Sequence, residues 1–328
     1  MDNRKYPVKL VPILKDYIWG GQRLKNEYGK ASEMPIIAES WELAVHKDGE
    51  NTVANGAFKG MPLSSAITEW DKTNDFSCLG SNHAKNTDFP LLIKLIDAHD
   101  RLSVQVHPDD AYASAHESDP SGKTEMWYIA DAEPNTELIC GFKKEITREE
   151  LISAVENETL PELLQSVPVK KGDVFFIPSK TVHAIGKGIL IAEIQQNSNN
   201  TYRLYDYGRL QNGQPRPLHV EKASASVLLK PSSGQNTASE TKDCGGYTKR
   251  CLSDCEFFTV WECVIRDTMV IAGSSKTFSA LTVLDGIGEI KSADMSVPFA
   301  KGESFFIPAN LAVSVKGNAT VLLTQLPS

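Results

Sequence analysis

The chain has 328 residues, of which 41% are hydrophobic, so it can bury a sizeable core as one large domain or two ordinary ones. Its 34 Lys and Arg residues face 42 Asp and Glu residues, and the net charge of −8 argues against a general nucleic-acid binder. No apolar run approaches the roughly 18 residues of a membrane span, and no signal-like segment opens the sequence. We therefore expect a cytoplasmic globular protein with no membrane or nucleic-acid partner, in which an anionic ligand needs a local cationic cluster.

The first hundred residues contain short β-like runs, turn signals and one predicted helix near residues 63–70. Two tryptophans stand beside small or acidic residues, in Trp19-Gly20-Gly21 and in Trp41-Glu42. Such residues line sugar pockets, which makes Trp19 and Glu42 candidate substrate-binding residues, although both tryptophans could equally pack in the core. Lys94 interrupts the apolar strand predicted at residues 90–96, so it either faces a polar pocket or protects a sheet edge.

Residues 103–110, Ser-Val-Gln-Val-His-Pro-Asp-Asp, predict a short strand that Pro108 ends. Because strand side chains alternate between the two faces, Gln105 and His107 share one face, and Val104 and Val106 point into a core. An amide oxygen and an imidazole nitrogen on one face indicate half of a metal site.

The middle of the chain alternates between helical and strand-like segments. Residues 109–117 predict one or two helical turns, and residues 118–122 have the composition of a loop. The segment 123–129 is strand-like in its second half and carries Glu125 two positions after Lys123, so both side chains share a face if it is extended. A capping box at Thr147 opens a predicted helix that runs to about residue 155, with another turn near residues 160–165.

A nine-residue motif occurs twice, at residues 171–179 and 301–309, and both copies contain Lys-Gly followed by Phe-Phe-Ile-Pro. A separation of 130 residues indicates a duplicated domain, because solenoid repeats run about 20 to 50 residues. His183 lies eleven residues after the first motif glycine, whereas Val313 occupies that position after the second. We therefore predict a metal-holding domain at 1–230 and a metal-free domain at 236–328, joined by a polar linker at 230–236.

Four side chains form a candidate ligand set with two nitrogen and two oxygen donors: Gln105, His107, Glu125 and His183. Such a set suits a divalent metal such as zinc and leaves a position for water or substrate. It contains no thiolate, which favours a catalytic site, because structural zinc usually recruits cysteine. Taken singly, each histidine could instead be a hydrogen-bonded core residue. Three cations could offset the acidic net charge locally, or could each be a surface charge: Lys94, Lys123 and Arg203.

Six segments resemble, in the same order, motifs of the type I mannose-6-phosphate isomerases (phosphomannose isomerases) of the cupin superfamily: residues 17–21, 38–42, 102–109, 123–128, 177–185 and 201–206. The resemblance spans nearly the whole chain, which is similar in length to the short bacterial form. It implies a mainly β fold of two cupin-like β-barrel or jelly-roll domains with a few short helices. It also implies one zinc ion per chain, held by His107, Glu125 and His183, with Gln105 as a fourth ligand seen in the longer forms.

The same resemblance implies that Arg203 is the active-site arginine and that Lys94 and Lys123 are pocket lysines. Many members of the family carry an aspartate where this chain has Asn199. If that aspartate transfers a proton, another base must serve in this chain. We expect Lys123 to be this base, with a water molecule held by the metal as the second candidate.

The function implied is the reversible isomerisation of mannose 6-phosphate and fructose 6-phosphate through a cis-enediolate. Two alternatives stay open on the residues alone. A site of two histidines and a carboxylate also suits a metal-dependent cupin oxygenase. The chain could also be a non-catalytic sugar-binding cupin, because Asn199 stands where many family members carry an aspartate. In each case the partner is a small molecule, and we expect a monomer or a weak homo-oligomer.

Overall fold

The computed structural model describes residues 5–73, 77–83, 88–232 and 238–327. The chain is mainly β, as predicted. Of the predicted linker, residues 233–236 lie outside the described residues. Within the described ranges, no helix has the length and apolar character needed to cross a membrane.

The elements up to residue 132 are β1 (Val8–Val11), β2 (Ile13–Lys15), α1 (Arg23–Tyr28), β3 (Glu39–Leu43), β4 (Val45–His46), β5 (Gly49–Glu50), β6 (Thr52–Val53), α2 (Leu63–Thr73), β7 (Leu91–Ala98), β8 (Val104–Val106), α3 (Asp110–His116) and β9 (Glu125–Ala132). Those up to residue 226 are β10 (Glu137–Phe142), α4 (Arg148–Glu156), α5 (Leu160–Leu163), β11 (Leu164–Pro168), β12 (Val174–Ile177), β13 (His183–Ala184), β14 (Ile189–Gln196), β15 (Tyr202–Tyr205), β16 (Leu210–Gln211), β17 (Gln214–Pro215) and α6 (Val220–Ser226). The last elements are β18 (Lys242–Asp243), β19 (Tyr247–Asp254), β20 (Thr259–Ile265), β21 (Thr268–Ile271), β22 (Ser279–Lys291), β23 (Ser296–Ala300), β24 (Ser304–Ile307) and β25 (Val313–Gln325).

Two sheets enclose the region that holds the candidate ligands. One has six strands in the order β12-β9-β14-β7-β3-β2, and the other has five in the order β11-β10-β13-β8-β15. Apolar side chains from both sheets form one buried cluster, including Trp127 and Ile191 from the first and Leu138 and Cys140 from the second. The two sheets therefore pack face to face over a shared core.

The five-stranded sheet is covered on its other face by α4 and α6. Val104 and Val106 of β8 are fully buried in a cluster with Leu151 and Ala223 from these helices. The predicted alternation of this strand is confirmed, because its valines enter that core while Gln105 lies on the opposite face, next to His183. The capping box predicted at Thr147 is also present at the start of α4.

The N-terminal strand belongs to the C-terminal sheet. Strand β1 pairs antiparallel with β24, with Val8 opposite Phe306, and extends the sheet built mainly from β18 to β25. Sheet pairing therefore crosses the predicted domain boundary near residue 230. The division into residues 1–230 and 236–328 stays a prediction, with the added feature that the first strand of the chain completes the second sheet.

The two motif copies adopt the same local structure. Gly172 and Gly302 have φ of +88° and +84°, and each precedes a short strand, β12 or β24, that a proline ends. Lys180 and Asn310, two residues after those prolines, also have positive φ, at 72° and 65°. His183 and Val313 then begin β13 and β25. This correspondence supports the duplication inferred from the sequence.

Gly172 and Gly302 provide a matched pair for a stability test. A Cβ at Gly172 would have Arg250 Nη2 as its nearest neighbour, at 3.8 Å, whereas a Cβ at Gly302 would lie 2.1 Å from the Tyr28 carbonyl oxygen. We expect Gly172→Ala to lower the free energy of unfolding by about 1–2 kcal/mol through backbone strain alone. Gly302→Ala should lower it further, because the backbone must also move. Urea unfolding measures both, and equal losses would contradict the difference in packing.

Candidate metal centre and active site

Three of the candidate metal ligands, His107, Glu125 and His183, lie close together between the two sheets. His107 follows β8, His183 begins β13 and Glu125 begins β9 of the opposite sheet. Glu125 Oε2 lies 3.5 Å from His107 Nε2, and Glu125 Oε1 lies 3.4 Å from His183 Nε2. All three side chains are at most 1% exposed. Two imidazole nitrogens and a carboxylate therefore converge out of contact with bulk water.

Backbone carbonyls orient both imidazoles. His107 Nδ1 lies 2.8 Å from the Asn200 carbonyl oxygen, and His183 Nδ1 lies 2.9 Å from that of Thr181. Because a carbonyl oxygen only accepts hydrogen bonds, each Nδ1 must carry the proton. The Nε2 lone pairs are thereby left facing Glu125, as in histidines that bind a metal.

Burial sets the protonation of the cluster. It lowers the pKa of His183 to about 4, against a smaller opposing effect of the Thr181 carbonyl. Burial, followed by the charge of Lys123, also holds the pKa of His107 well below its usual value. Burial and the nearby Glu193 carboxylate raise the pKa of Glu125. The imidazoles are therefore neutral near pH 7, the state that a metal ligand requires.

The donor set fits a divalent cation. The ligand atoms of His107, Glu125 and His183 all lie within 4.8 Å of one another. Among the residues that the structure describes, they form the one group of three or more His, Cys, Asp or Glu side chains with such geometry. The Gln105 amide lies 3.4 Å from His183 Nε2, so its position is compatible with the predicted fourth ligand.

A cavity of about 220 Å³ adjoins the cluster. Five of the sequence-predicted residues line it: Trp19, Lys94, Gln105, Lys123 and Arg203. Lys123 Nζ lies 2.8 Å from Glu125 Oε2 and 3.1 Å from His107 Nε2, so it joins the cavity to the ligand cluster. The cavity is therefore where a small molecule would reach both the ligands and Lys123.

Glu42 does not line this cavity. Its carboxylate pairs with the buried Lys30 at 2.6 Å and accepts a hydrogen bond from Ser304 Oγ at 2.8 Å, in the C-terminal sheet. Glu39, three residues earlier in β3, lines the cavity instead. Strand β3 thus contributes to the cavity through Glu39, whereas Glu42 connects β3 to Ser304 of the C-terminal sheet.

Glu193 is a buried site residue that sequence reasoning missed. It lies directly opposite Lys94 in the pairing of β14 with β7, and its Oε1 is 3.3 Å from Lys94 Nζ and 3.9 Å from Lys123 Nζ. Trp127 Nε1 donates a hydrogen bond to its other oxygen, at 3.0 Å. The available signal was the same as for Lys94, since Lys94 is the one charge in residues 91–96 and Glu193 is the one charge in residues 189–194. The two buried charges neutralise each other across neighbouring strands.

Arg203 and Asn199 line the cavity on the side of the five-stranded sheet. Arg203 lies opposite Gln105 in the sheet and donates hydrogen bonds to Ser103 Oγ at 3.3 Å and to the Pro217 carbonyl oxygen at 2.9 Å. The Asn199 amide donates to Asp48 Oδ2 at 2.9 Å. Arg216 also lines the cavity and was not singled out from the sequence.

Comparison with known proteins identifies the family. The protein-family model described as "Phosphomannose isomerase type I, catalytic domain" matches residues 8–145. A second family model, "Mannose-6-phosphate isomerase, cupin domain", matches residues 248–325. The mannose-6-phosphate isomerase ManA of Bacillus subtilis (strain 168) is 37% identical over 98% of this chain and 99% of its own length. The chain belongs to the type I phosphomannose isomerase family. The resemblance deduced from the six motifs is confirmed.

Solved structures of the family share the fold. The crystal structure of mannose 6-phosphate isomerase from Bacillus subtilis matches with a TM-score of 0.88 at 35% identity, covering 98% of this chain and 99% of that chain. A mannose 6-phosphate isomerase bound with zinc and yttrium matches with a TM-score of 0.74 at 17% identity, covering 98% and 100%. Together with the cupin-domain match, these structures confirm the expected mainly β, cupin-like fold class.

Removing one donor tests the metal site. We expect His107→Ala to abolish stoichiometric binding of a divalent metal, because it removes one of the two imidazole donors. The fold should persist, since the apolar clusters do not include His107. His116→Ala, at the exposed end of α3, is the matched control and should keep the metal. Metal analysis with circular dichroism measures both properties, and a metal content that survives in His107→Ala would show that the site is wrongly assigned.

Proposed function

We propose that this chain interconverts mannose 6-phosphate and fructose 6-phosphate, moving a proton between C1 and C2 through a cis-enediolate. The observation that carries the proposal is the buried cluster of His107, Glu125 and His183 beside Lys123, at the edge of a small polar cavity. Family membership supports the same reaction. The partner is then a small sugar phosphate. A cytoplasmic location, a monomeric or weakly oligomeric state and the lack of a nucleic-acid partner stay predictions.

The proposed cofactor is one zinc ion per chain, with His107, Glu125 and His183 as ligands and Gln105 as a possible fourth. Two imidazoles and a carboxylate are donors that zinc accepts, and the fold neighbour bound with zinc and yttrium supports this choice. When bound, the ion would supply Lewis acidity toward the sugar oxygens and a positive charge that favours the neutral form of a nearby amine.

Lys123 is the proposed base. Its side chain lines the cavity, and its amine lies 3.1 Å from His107 Nε2. In the neutral form it would accept a proton from one carbon and return it to the adjacent carbon on the same face of the cis-enediolate. Glu193 pairs with Lys94 at 3.3 Å and lies 3.9 Å from Lys123 Nζ, so its negative charge is close to both lysines.

Arg203 is the proposed electrostatic partner of the reacting sugar. Its guanidinium donates to neutral oxygens of Ser103 and Pro217, so its positive charge stays available to an anionic group in the cavity. Trp19 and Lys94 line the same cavity and are proposed to orient the sugar. Tight packing of these side chains around the substrate would hold C1 and C2 within reach of Lys123.

The reaction is tested with zinc-loaded protein in a coupled assay for fructose 6-phosphate. We expect turnover of mannose 6-phosphate without oxygen consumption, loss of turnover after chelation and recovery on adding zinc. Iron content with oxygen uptake would instead favour the cupin oxygenase. Tight binding of mannose 6-phosphate without turnover by fully zinc-loaded protein would favour the non-catalytic sugar-binding cupin.

The base is tested by Lys123→Met, which keeps the length of the side chain and removes the amine. We expect kcat to fall by roughly 10²–10⁴-fold, the usual contribution of a general base. Zinc content should be retained, because Lys123 is not one of the proposed ligands. The control is Lys170→Met, a lysine 83% exposed in its side chain and outside the cavity lining, which should keep full activity. A kcat in Lys123→Met close to that of the unmodified protein would exclude Lys123 as the base.

A further inference from the structure

The cations of the cavity differ in how far their charges are balanced. Lys94 lies 3.3 Å from Glu193 and 3.7 Å from Glu39, and Lys123 lies 2.8 Å from Glu125, so carboxylates compensate both lysines. Arg203 contacts a hydroxyl and a carbonyl oxygen instead. Of these three cations, Arg203 is therefore the one whose hydrogen-bond partners are neutral.

Arg216 adds a second guanidinium on that side. It follows β17 in the short hairpin formed by β16 and β17, and it lines the cavity together with Arg203. The same hairpin is tied to Arg203, because Arg203 Nη1 donates to the carbonyl oxygen of Pro217, the residue after Arg216. The hairpin thus places Arg216 on the same wall of the cavity as Arg203 of β15.

Asp206 holds Arg216 in place. Its buried carboxylate accepts Arg216 Nε at 2.7 Å and Arg216 Nη2 at 2.5 Å, a two-point contact that fixes the guanidinium plane. Burial acts to raise the pKa of Asp206, but the hydrogen bonds from Arg216 and Arg209 outweigh it and lower the pKa. The carboxylate is therefore charged near pH 7, and its contact leaves the Nη1 side of Arg216 directed away from Asp206.

Arg209 shares Asp206 but not the cavity. Its Nη2 donates to Asp206 Oδ1 and its Nη1 lies 3.6 Å from Asp100 Oδ2, while its guanidinium lies 5.5 Å from the ring centre of Tyr207. Arg209 is not among the residues that line the cavity. Two arginines thus bind one carboxylate, and one of them faces the space that a substrate would fill.

We propose that Arg216, positioned by Asp206, binds the phosphate group of the substrate together with Arg203 and so makes the site specific for a phosphorylated sugar. The inference rests on the proposed function and adds the group that recognises the dianion. A guanidinium offers parallel donors to phosphate oxygens, and one already fixed by a carboxylate loses little side-chain entropy on binding. Asp206 is a positioning residue in this arrangement, because it acts through Arg216.

The test compares Arg216→Gln with Arg209→Gln, the matched control that loses the other arginine bound to Asp206. Zinc-loaded proteins are assayed with mannose 6-phosphate and titrated calorimetrically with inorganic phosphate. We expect Arg216→Gln to raise KM and the phosphate Kd by about tenfold to a hundredfold, the loss of a charged hydrogen bond, with a much smaller change in kcat. Arg209→Gln should raise both constants much less than Arg216→Gln, because Arg209 does not line the cavity and Asp206 keeps its two-point contact with Arg216. Zinc content should be unchanged in both variants.

Arg216→Lys tests whether the geometry of the guanidinium matters in addition to its positive charge. A lysine keeps the charge but cannot make the two-point contact with Asp206, so its KM should lie between those of the unmodified protein and Arg216→Gln. The proposal is overturned if Arg216→Gln leaves KM and the phosphate Kd unchanged, or if Arg209→Gln has the larger effect. Failure of the proposed function would look different. It would appear as an unmodified, zinc-loaded protein with no isomerase turnover, in which the phosphate titration still decides the role of Arg216.

Discussion

Burial of charge between two sheets is the constraint on which the site depends. Glu125, Glu193, Lys94 and Lys123 are all at most 4% exposed, and an isolated charge in such a place would be strongly destabilising. The strand register places Glu193 opposite Lys94 on the neighbouring strand, and Lys123 lies 2.8 Å from Glu125. Each of these buried charges therefore has a partner of opposite sign. Each lysine nitrogen lies close to at least one carboxylate, and Lys94 also has Glu39 at 3.7 Å.

The two histidines are oriented by hydrogen bonds to the backbone. Each imidazole donates from Nδ1 to a backbone carbonyl oxygen, so no additional acidic side chain is needed to fix the tautomer. This keeps the negative charge of the cluster on Glu125. On the other wall of the cavity, Arg203 donates hydrogen bonds to neutral oxygens, so its charge is less compensated than those of Lys94 and Lys123.

The two copies of the repeated motif differ at the position of the candidate metal ligand. The two motif copies share turns and strands, but the first leads to His183 and the second to Val313, which is buried in the apolar core of the C-terminal sheet. That sheet also receives β1 from the N-terminus and, through Ser304, a hydrogen bond to Glu42. The ion pair of Glu42 with Lys30 lies at the same contact. These contacts connect the C-terminal sheet to β3, the strand that also carries Glu39, a residue of the cavity lining.

Residue type and spacing alone predicted the candidate ligand set, because alternation along β8 and the position of His183 after the motif glycine are local properties of the sequence. They also singled out Trp19, Lys94, Lys123 and Arg203, which the structure places in the cavity lining. Tertiary structure decided what depends on strand pairing: which carboxylate of β3 faces the cavity, that Glu193 lies opposite Lys94, and that Asp206 holds Arg216 at its wall. Partners more than ten residues apart, or on different strands, are set by sheet register and hairpin geometry, and these follow from packing of the whole chain.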